Sequence, residues 1–412
     1  MNKRLISKSR FITALECPTK LRYVNNKEYA SNKQDNEFLQ ALAEGGFQVG
    51  ELAKQYYPDG VSVDELDYDT ALAKTNKLLE LDNITIFEAA ILFDDRFFIR
   101  VDILKKTGNH VELIEVKAKS FDSDDPDFYY KQKGLTDYIR PGWRPYLFDV
   151  AFQTWVMEHT FPDWKVTPYL MMADKTKVTT VDDLNQHFRI RRNEKDSKRK
   201  ECFVYPEGVQ IDVGEPILEK IKVQSFVKQI WAGEAVPPKD RTEDDHKDFK
   251  TRIYEYAEYY NNLDDIYMRS IGKHCKDCEF KNGDQPELKS GFEECWMLAK
   301  GEDFNVDELH IFDIWFKPKV QELLKDDIYY QKDLDIEKYL MKRNKAGDLI
   351  YSGSRSPRQA LQVEKVQNND NSENIKDELF SEIDSWTFPL HFIDFETNMM
   401  AIPFNKGRKP YE

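Results

Sequence analysis

Residues 85–120 show the clearest pattern of apolar and polar positions in the chain. Apolar and β-branched residues dominate TIFEAAILFDDRFFIRVDILKKTGNHVELIEVKAKS, and two short polar turns interrupt the run. Asp94-Asp95 is the first turn candidate, and Gly108-Asn109 is the second, which suits a two-residue hairpin loop. The pattern therefore predicts three consecutive β-strands.

The second hairpin sets a register for the charged residues around it. If its two loop residues are unpaired, Asp102 lies opposite Glu115. Side chains on a strand alternate between faces, so Glu115 and Lys117 are expected to share a face with Asp102. Burying such groups is costly, at roughly 2–7 kcal/mol even for an uncharged polar group, and a partner must offset that cost.

A hard divalent cation is one such partner, because Mg²⁺ prefers one or two carboxylates together with water and phosphate. A metal of this kind polarises a phosphodiester and lowers the pKa of its bound water. Lys117 is then expected to orient that water or to stabilise charge on the phosphate. Glu88 is a further candidate, because a three-residue first loop brings it near Asp102. A surface hairpin with an ordinary Glu–Lys ladder is the alternative interpretation of this spacing.

Helical periodicity occurs on both sides of the predicted strands. Helices are expected from Ser7 or Ser9 to a stop at Cys17-Pro18, and over residues 36–58, 148–159, 307–330 and 333–347. The second of these carries Glu44 and Glu51, which are further candidate ligands, with solvated helix glutamates as the alternative. The polar run 362–378 is typical of a linker. The expected fold class is therefore α/β, with a central mixed sheet flanked by helices and a helical connector after it.

Composition limits the classes of protein that fit. A length of 412 residues with 40% hydrophobic content suffices for two or three domains with cores of their own. The net charge of −15 argues against a protein that coats nucleic acid with its whole surface, but it allows a local basic groove. The chain shows no secretory signal and no apolar run of membrane-spanning length, so we expect a cytoplasmic protein without a membrane partner.

Four of the five cysteines form an ordered set: Cys17, Cys275, Cys278 and Cys295. A C-x2-C pair with a third cysteine after sixteen intervening residues is a metal-ligand pattern. Thiolates select zinc or iron–sulfur clusters. Cys17 is the candidate fourth ligand despite lying far upstream, whereas His274 is the alternative in a zinc site. Cys202 is expected to be an ordinary packed thiol.

The order of these motifs resembles the iron–sulfur branch of the RecB-type PD-(D/E)XK nucleases, which includes CRISPR-associated adaptation nucleases and the nuclease domain of AddB. The resemblance implies a restriction-endonuclease-like domain over residues 1–300, closed by a 4Fe–4S cluster on the four cysteines. It implies that Asp102 and Glu115 bind Mg²⁺ or Mn²⁺. Lys117 would then act on the attacking water, and Gln153 would support the site.

Residues 386–412 carry a second acidic motif after the connector and linker of residues 301–385. Leu390 to Phe395 is expected to be a buried strand with Asp394 and Glu396 at its exit. This Asp-x-Glu resembles the first motif of DnaQ-type, RNase H-fold exonucleases, in which it holds paired metals. Only sixteen residues follow Glu396, whereas a compact domain needs ~100–150. We therefore expect an incomplete, inactive second site in a piece of a longer protein, with a chance DFE sequence as the alternative.

The sequence thus predicts a Mg²⁺- or Mn²⁺-dependent deoxyribonuclease, exonuclease-like, that acts on single-stranded DNA or DNA ends. The resemblance implies a role in defence against mobile elements or in DNA repair. Two alternatives remain open. One is a cysteine-metal nucleic-acid-binding module with a vestigial nuclease site, which Met157 favours because the family has tyrosine there. The other is a nuclease directed at RNA.

Overall fold

The computed structural model describes residues 4–32, 37–125, 129–131, 137–192, 200–263, 270–283, 285–301, 304–305, 308–316, 319–394 and 400–412. The chain divides into two compact units. The first comprises Met1–Val24, Lys33–Tyr267 and Thr397–Glu412, and the second comprises Asn25–Asn32 and Met268–Glu396. The predicted domain limit at residue 300 falls inside the second unit.

Within the described residues, the strands are β1 (Ile6–Ser7), β2 (Val61–Ser62), β3 (Asn83–Phe93), β4 (Phe97–Thr107), β5 (His110–Phe121), β6 (Tyr129–Lys131), β7 (Asp137–Ile139), β8 (Lys165–Asp174), β9 (Phe188–Arg192), β10 (Lys200–Val204), β11 (Leu218–Lys222), β12 (Met341–Arg343) and β13 (Leu349–Tyr351). The α-helices are α1 (Lys8–Glu16), α2 (Glu37–Gln55), α3 (Tyr68–Leu79), α4 (Arg144–Thr160), α5 (Gln224–Trp231), α6 (Phe249–Asn261), α7 (Gly291–Lys300), α8 (Val320–Lys325), α9 (Ile336–Leu340), α10 (Ser356–Gln367) and α11 (Asp377–Asp384).

A seven-stranded mixed sheet forms the centre of the first unit. Its strand order is β11-β8-β5-β4-β3-β2, and β1 pairs in addition with β4. The strands β3, β4 and β5 are antiparallel neighbours, whereas β8 runs parallel to β5. Helix α2 packs against β5, and α4 packs against β3, β4 and β8. The predicted α/β class, a central sheet flanked by helices, is therefore confirmed.

The three consecutive strands predicted from residues 85–120 are present. A three-residue loop joins β3 to β4, and Gly108-Asn109 joins β4 to β5, with Thr107 paired to His110. Gly108 has a φ of 57°, a left-handed conformation that glycine adopts at little cost. The turn residues thus fix the register from which the positions of the acidic residues follow.

Two helices on one side of the sheet position residues of the candidate site. Helix α1 begins after Ser7, whose side chain accepts a hydrogen bond from Arg10 N–H and caps the helix. Helix α4 is buried along its whole middle part, residues 147–157, so its apolar residues do not form a single stripe. Phe11 of α1 stacks on Phe152 of α4 with ring centroids 4.6 Å apart. This contact fixes α1 against α4.

The second unit has its own hydrophobic core, and two helix predictions in it are wrong in part. Over residues 307–330 the only α-helix among the described residues is α8, which ends before Asp327, a residue with φ 55°. Over residues 333–347 the helix ends at Leu340, and a hairpin of β12 and β13 follows. The turn before Gly347, with φ 93°, overrides the helical periodicity of this segment.

The predicted buried strand from Leu390 to Phe395 is also wrong for its described part. Residues 390–394 have no strand conformation, and Phe392 and Ile393 are 91% and 73% exposed. No strand among the described residues pairs with them, and an unpaired strand leaves its backbone groups without partners. Farther on, Asn185 Nδ2 donates to the Ile402 carbonyl at 3.0 Å within the first unit.

None of the helices in the described ranges combines the length and the apolar character needed to cross a membrane.

Candidate active site

Strands β4 and β5 are paired over only part of their length, and we call the gap where they diverge the fork. The ladder that joins these strands ends at the pair of Ile103 and Ile114. Farther along the same edge of β4, residues 97–98 pair with β1 instead. Asp102 and Glu115 are the first residues beyond the end of the ladder, so both lie where the fork opens.

Glu115 is fully buried at the base of this fork. Lys117 Nζ lies 2.5 Å from its Oε1, and Gln153 Nε2 donates to its Oε2 at 2.7 Å. The Lys8 ammonium lies 3.2 Å from both carboxylate oxygens. Burial raises the pKa of Glu115, but the two ammonium charges and the amide hydrogen bond outweigh burial and hold that pKa well below its ordinary value. The carboxylate therefore stays ionised at neutral pH.

The carboxylate of Asp102, on β4, lies beside the same Lys8 ammonium. Its Oδ2 accepts a 2.8 Å hydrogen bond from Val116 N–H, so the side chain replaces a backbone partner where the ladder ends. Its Oδ1 lies 2.8 Å from Lys8 Nζ. Burial, and after it the charge of Glu115, raise the pKa of Asp102. The structure thus brings Asp102 and Glu115 together, as the hairpin register predicts.

Glu88 lies across from Asp102 on the neighbouring strand. The β3–β4 ladder pairs the residues on either side of Glu88 but skips Glu88 and Asp102 themselves. Glu88 has a φ of 56°, which is uncommon for a residue other than glycine. Burial, and next the charge of Asp102, raise the pKa of Glu88 to about 7. The expected approach through a three-residue loop is confirmed. Glu88 lies in the middle of β3, which begins at Asn83 and ends at Phe93.

Helix α4 brings two more polar groups to the base of the site. Gln153 is fully buried, and its Nε2 also donates to Asp149 Oδ1 at 3.0 Å. Asp149 Oδ2 accepts from Lys117 Nζ at 2.9 Å. Burial, followed by the charge of Glu115, raises the pKa of Asp149 to about 6. The amide of Gln153 therefore links the carboxylates of Glu115 and Asp149.

The site carries more acidic than basic groups in contact. We call Glu88, Asp102, Glu115 and Asp149 the carboxylate cluster. Lys8 and Lys117 contact its members directly, whereas Lys54 acts on Glu88 at longer range and is itself paired with Glu51 at 2.5 Å. Burial lowers the pKa of Lys117, but the charges of Glu115 and Asp149 outweigh burial and hold that pKa above its ordinary value. The lysines neutralise the cluster only in part, so it attracts further cations.

Two members of the site are missing from the sequence prediction. Asp149 precedes Gln153 by one helical turn, and this i, i+4 spacing on a predicted helix is the signal that identifies it. Lys8 lies 94 positions before Asp102 and reaches it only through tertiary structure. No local pattern in the sequence points to Lys8.

The cysteines fall into two groups in the structure. Cys17 follows helix α1 in the first unit, and the other three cysteines of the ordered set lie in the second unit. Cys278 N–H donates to the Cys275 carbonyl at 3.3 Å, so this pair shares one turn, whereas Cys295 lies on α7. Cys275 Sγ lies 3.5 Å from His274 Nε2. All four thiols of the set are partly exposed.

Four candidate residues remain, namely Glu51, Cys202, Asp394 and Glu396. Glu51 forms an ion pair on its own helix, where its Oε1 accepts from Lys54 Nζ at 2.5 Å. Burial raises the pKa of Cys202 to about 12, in agreement with an ordinary packed thiol. Asp394 is exposed in the irregular segment before residue 395. Glu396 lies outside the described residues.

In the part of the chain that the structure describes, no group of three or more His, Cys, Asp and Glu side chains is arranged to hold a metal ion. At the fork, the Lys8 ammonium stands between the two central carboxylates. Comparisons of the chain with protein-family models, with curated proteins and with solved structures find no match. The chemistry of the site is therefore the basis for assigning a function.

Proposed function

We propose that the protein is a Mg²⁺- or Mn²⁺-dependent DNA nuclease with a restriction-endonuclease-like core, of the iron–sulfur-containing RecB type that the sequence resembles. One observation carries the proposal. The carboxylates of Asp102 and Glu115 converge at a break in the sheet and share a cation, the Lys8 ammonium, at 2.8 and 3.2 Å. A buried and a partly buried carboxylate that share a cation support a role in binding a hard metal ion.

Two carboxylates suffice for such an ion if water molecules complete its coordination. Asp102 Oδ2 is occupied by Val116 N–H, which leaves Oδ1 directed at the fork, and both Glu115 oxygens also face the Lys8 ammonium. Asp102 and Glu115 would therefore hold the metal, with Glu88 opposite Asp102 as a further oxygen donor. A bound divalent ion supplies charge stabilisation at the scissile phosphate and a bound water of lowered pKa.

The other polar side chains orient this pair and provide positive charge. Gln153 fixes Glu115 through its 2.7 Å hydrogen bond, and Asp149 holds the Lys117 ammonium at 2.9 Å. Lys117 thereby presents a fixed cation beside Glu115, where it can stabilise charge that develops on a phosphate or orient the attacking water. We assign no role in proton abstraction to it.

Single-stranded DNA or DNA ends are the proposed substrate. The net charge of −15 makes long, continuous contact with a duplex backbone unfavourable. The iron–sulfur cluster on Cys17, Cys275, Cys278 and Cys295 is part of the same proposal, with a structural role. The thiol-rich donor set and the C-x2-C turn are compatible with it. The cluster is tested by measuring the iron and acid-labile sulfide content of anaerobically purified protein. A zinc site with His274 as a ligand would instead contain zinc and neither iron nor sulfide.

The test of the nuclease is cleavage of end-labelled single-stranded DNA with Mn²⁺, with Mg²⁺ and with EDTA. Wild-type protein is compared with Glu115→Gln, which keeps the side-chain volume, and with Glu115→Ala. The matched control is Glu112→Gln, a change on the same strand at a residue that pairs with Lys220 outside the site. Single-stranded RNA of the same sequence forms a second substrate arm.

Metal-dependent cutting of DNA by wild type and Glu112→Gln, and its loss in both Glu115 variants, is the expected result. Intact DNA in every lane, with folded protein and the cluster present, contradicts the nuclease and leaves a nucleic-acid-binding module. Cutting of RNA alone contradicts the proposed substrate. Cutting that persists in both Glu115 variants contradicts the assigned site.

A further inference from the structure

Lys8 has no part in the nuclease chemistry proposed above, yet it stands at the centre of the site. Strand β1 pairs with β4 and ends at Ser7, the residue that caps helix α1. The backbone on both sides of Lys8 is therefore held by the sheet and by the first turn of the helix. Because β1 lies on the edge of β4 that β5 has left, Lys8 is directed into the open fork.

The ammonium of Lys8 occupies the space that a metal ion would need. It lies 2.8 Å from Asp102 Oδ1 and 3.2 Å from both oxygens of Glu115. Mg²⁺ binds carboxylate oxygens at about 2.0–2.1 Å. An ion at that distance from the same oxygens would overlap with the ammonium and be repelled by its charge. Lys8 and a divalent ion therefore exclude each other.

Lys8 can leave the site without a change in the fold. Its side chain is 27% exposed, whereas the side chain of Glu115 is 1% exposed, so Lys8 lies on the open side of the pair. A lysine has a flexible four-carbon stem, and rotation of that stem moves the ammonium into solvent while the backbone stays in place. The other contacting lysine, Lys117, is tied to both Glu115 and Asp149. Of these two lysines, only Lys8 contacts both proposed metal ligands, Asp102 and Glu115.

We propose that Lys8 is a displaceable internal cation, which neutralises Asp102 and Glu115 in the metal-free protein and competes with the divalent metal for them. This inference rests on the proposed function, in that it takes these two carboxylates as the metal ligands. Lys8 thus regulates the site. It prevents like-charge repulsion from opening the fork when metal is scarce, and it sets the metal concentration at which the site fills.

Mn²⁺ binding without nucleic acid tests this role, with free Mn²⁺ measured by electron paramagnetic resonance. Lys8→Met removes the charge and keeps the length of the stem. We expect it to bind Mn²⁺ on the order of tenfold more tightly than wild type, because the competing cation is gone. In EDTA the same variant should unfold at a lower temperature than wild type, and Mn²⁺ should raise its unfolding temperature by more.

Three further variants support the comparison. Lys105→Met removes an exposed lysine from β4 outside the site and should leave Mn²⁺ affinity within about twofold of wild type. Lys8→Arg retains the charge and should bind Mn²⁺ no more tightly than wild type. Lys8→Gln keeps a hydrogen-bond donor for both carboxylates and replaces Lys8→Met if that variant does not fold in EDTA.

The proposal is overturned if the uncharged Lys8 variants bind Mn²⁺ as tightly as wild type or more weakly. It is also overturned if neither wild type nor any variant binds Mn²⁺. Failure of the nuclease is distinguishable from this outcome. If the uncharged variants bind Mn²⁺ more tightly but DNA stays intact with every form, the displaceable cation stands and the nuclease fails. If wild type cuts DNA but the uncharged Lys8 variants bind Mn²⁺ with the same affinity as wild type, the proposed nuclease stands and the proposed role of Lys8 fails.

Discussion

The charge of Glu88 should destabilise the metal-free protein at neutral and alkaline pH. Glu88 lies partly buried opposite Asp102, and its pKa is about 7 instead of its ordinary 4.5. Between about pH 4.5 and pH 7, the folded protein therefore holds a proton that the unfolded chain has released. Glu88→Gln replaces the carboxyl by a neutral group of the same shape, so it removes this penalty.

The magnitude follows from the two pKa values. A carboxyl with a raised pKa in the folded state costs nothing well below 4.5, and its penalty grows as pH rises until it is complete above about 7. At about 1.4 kcal/mol per pKa unit, the full penalty is ~3 kcal/mol. We therefore expect Glu88→Gln to stabilise the first unit by less than about 1 kcal/mol near pH 5 and by ~3 kcal/mol near pH 8.5.

Urea unfolding in EDTA at these two pH values measures the difference. The control is Glu215→Gln, a change at an exposed glutamate of the first unit, whose effect should be small and equal at both pH values. A stabilisation by Glu88→Gln that does not grow with pH would refute the reasoning. It would mean that the lysines around Glu88 compensate its charge fully in the folded protein.

Three further changes test the packing of the site and the cysteine set. Gln153→Leu removes the amide that joins two buried carboxylates and should lower the free energy of unfolding in EDTA by about 2–3 kcal/mol, as urea titration would show. Phe11→Ala empties the fully buried position stacked on Phe152 and should cost about 3–5 kcal/mol in the same experiment, whereas a loss below about 1 kcal/mol would contradict the packing described. Cys278→Ala should lower the iron content of anaerobically purified protein, measured against Cys202→Ala, which should leave iron unchanged.

The part of the site that depends on local pattern could be predicted from the sequence. Alternation along residues 85–120 and the Gly108-Asn109 turn fix which strand residues face each other, so Asp102 and Glu115 meet as expected. Gln153 could be placed by family resemblance and a buried helix. Strand side chains repeat every two residues, and a register error of one would have put Glu115 on the opposite face.

The part that depends on distant segments could not be predicted. Lys8 reaches the fork because β1 pairs with β4, and a two-residue strand has no periodicity to detect. The apolar run from Leu390 to Phe395 is an example of a local pattern that predicts a buried strand which the described part of the run does not form. An apolar stretch predicts burial only where a partner exists, and Phe392 in this run is exposed. The helix predicted over residues 333–347 fails at its turn, since helical spacing in a short segment does not exclude a hairpin.

The position of the carboxylate cluster follows from interruptions in the sheet. At one level of the sheet, the β3–β4 ladder skips Glu88 and Asp102, and the β4–β5 ladder stops just before Asp102 and Glu115. The pairing of β4 with both β3 and β5 is thus interrupted at the same place, and Glu88 adopts an unfavourable φ there. A sheet that served only as a scaffold would gain stability by closing this gap. Leaving the gap open and burying the carboxylates of Glu115 and Asp149 both cost free energy, which the proposed role in cation binding would account for.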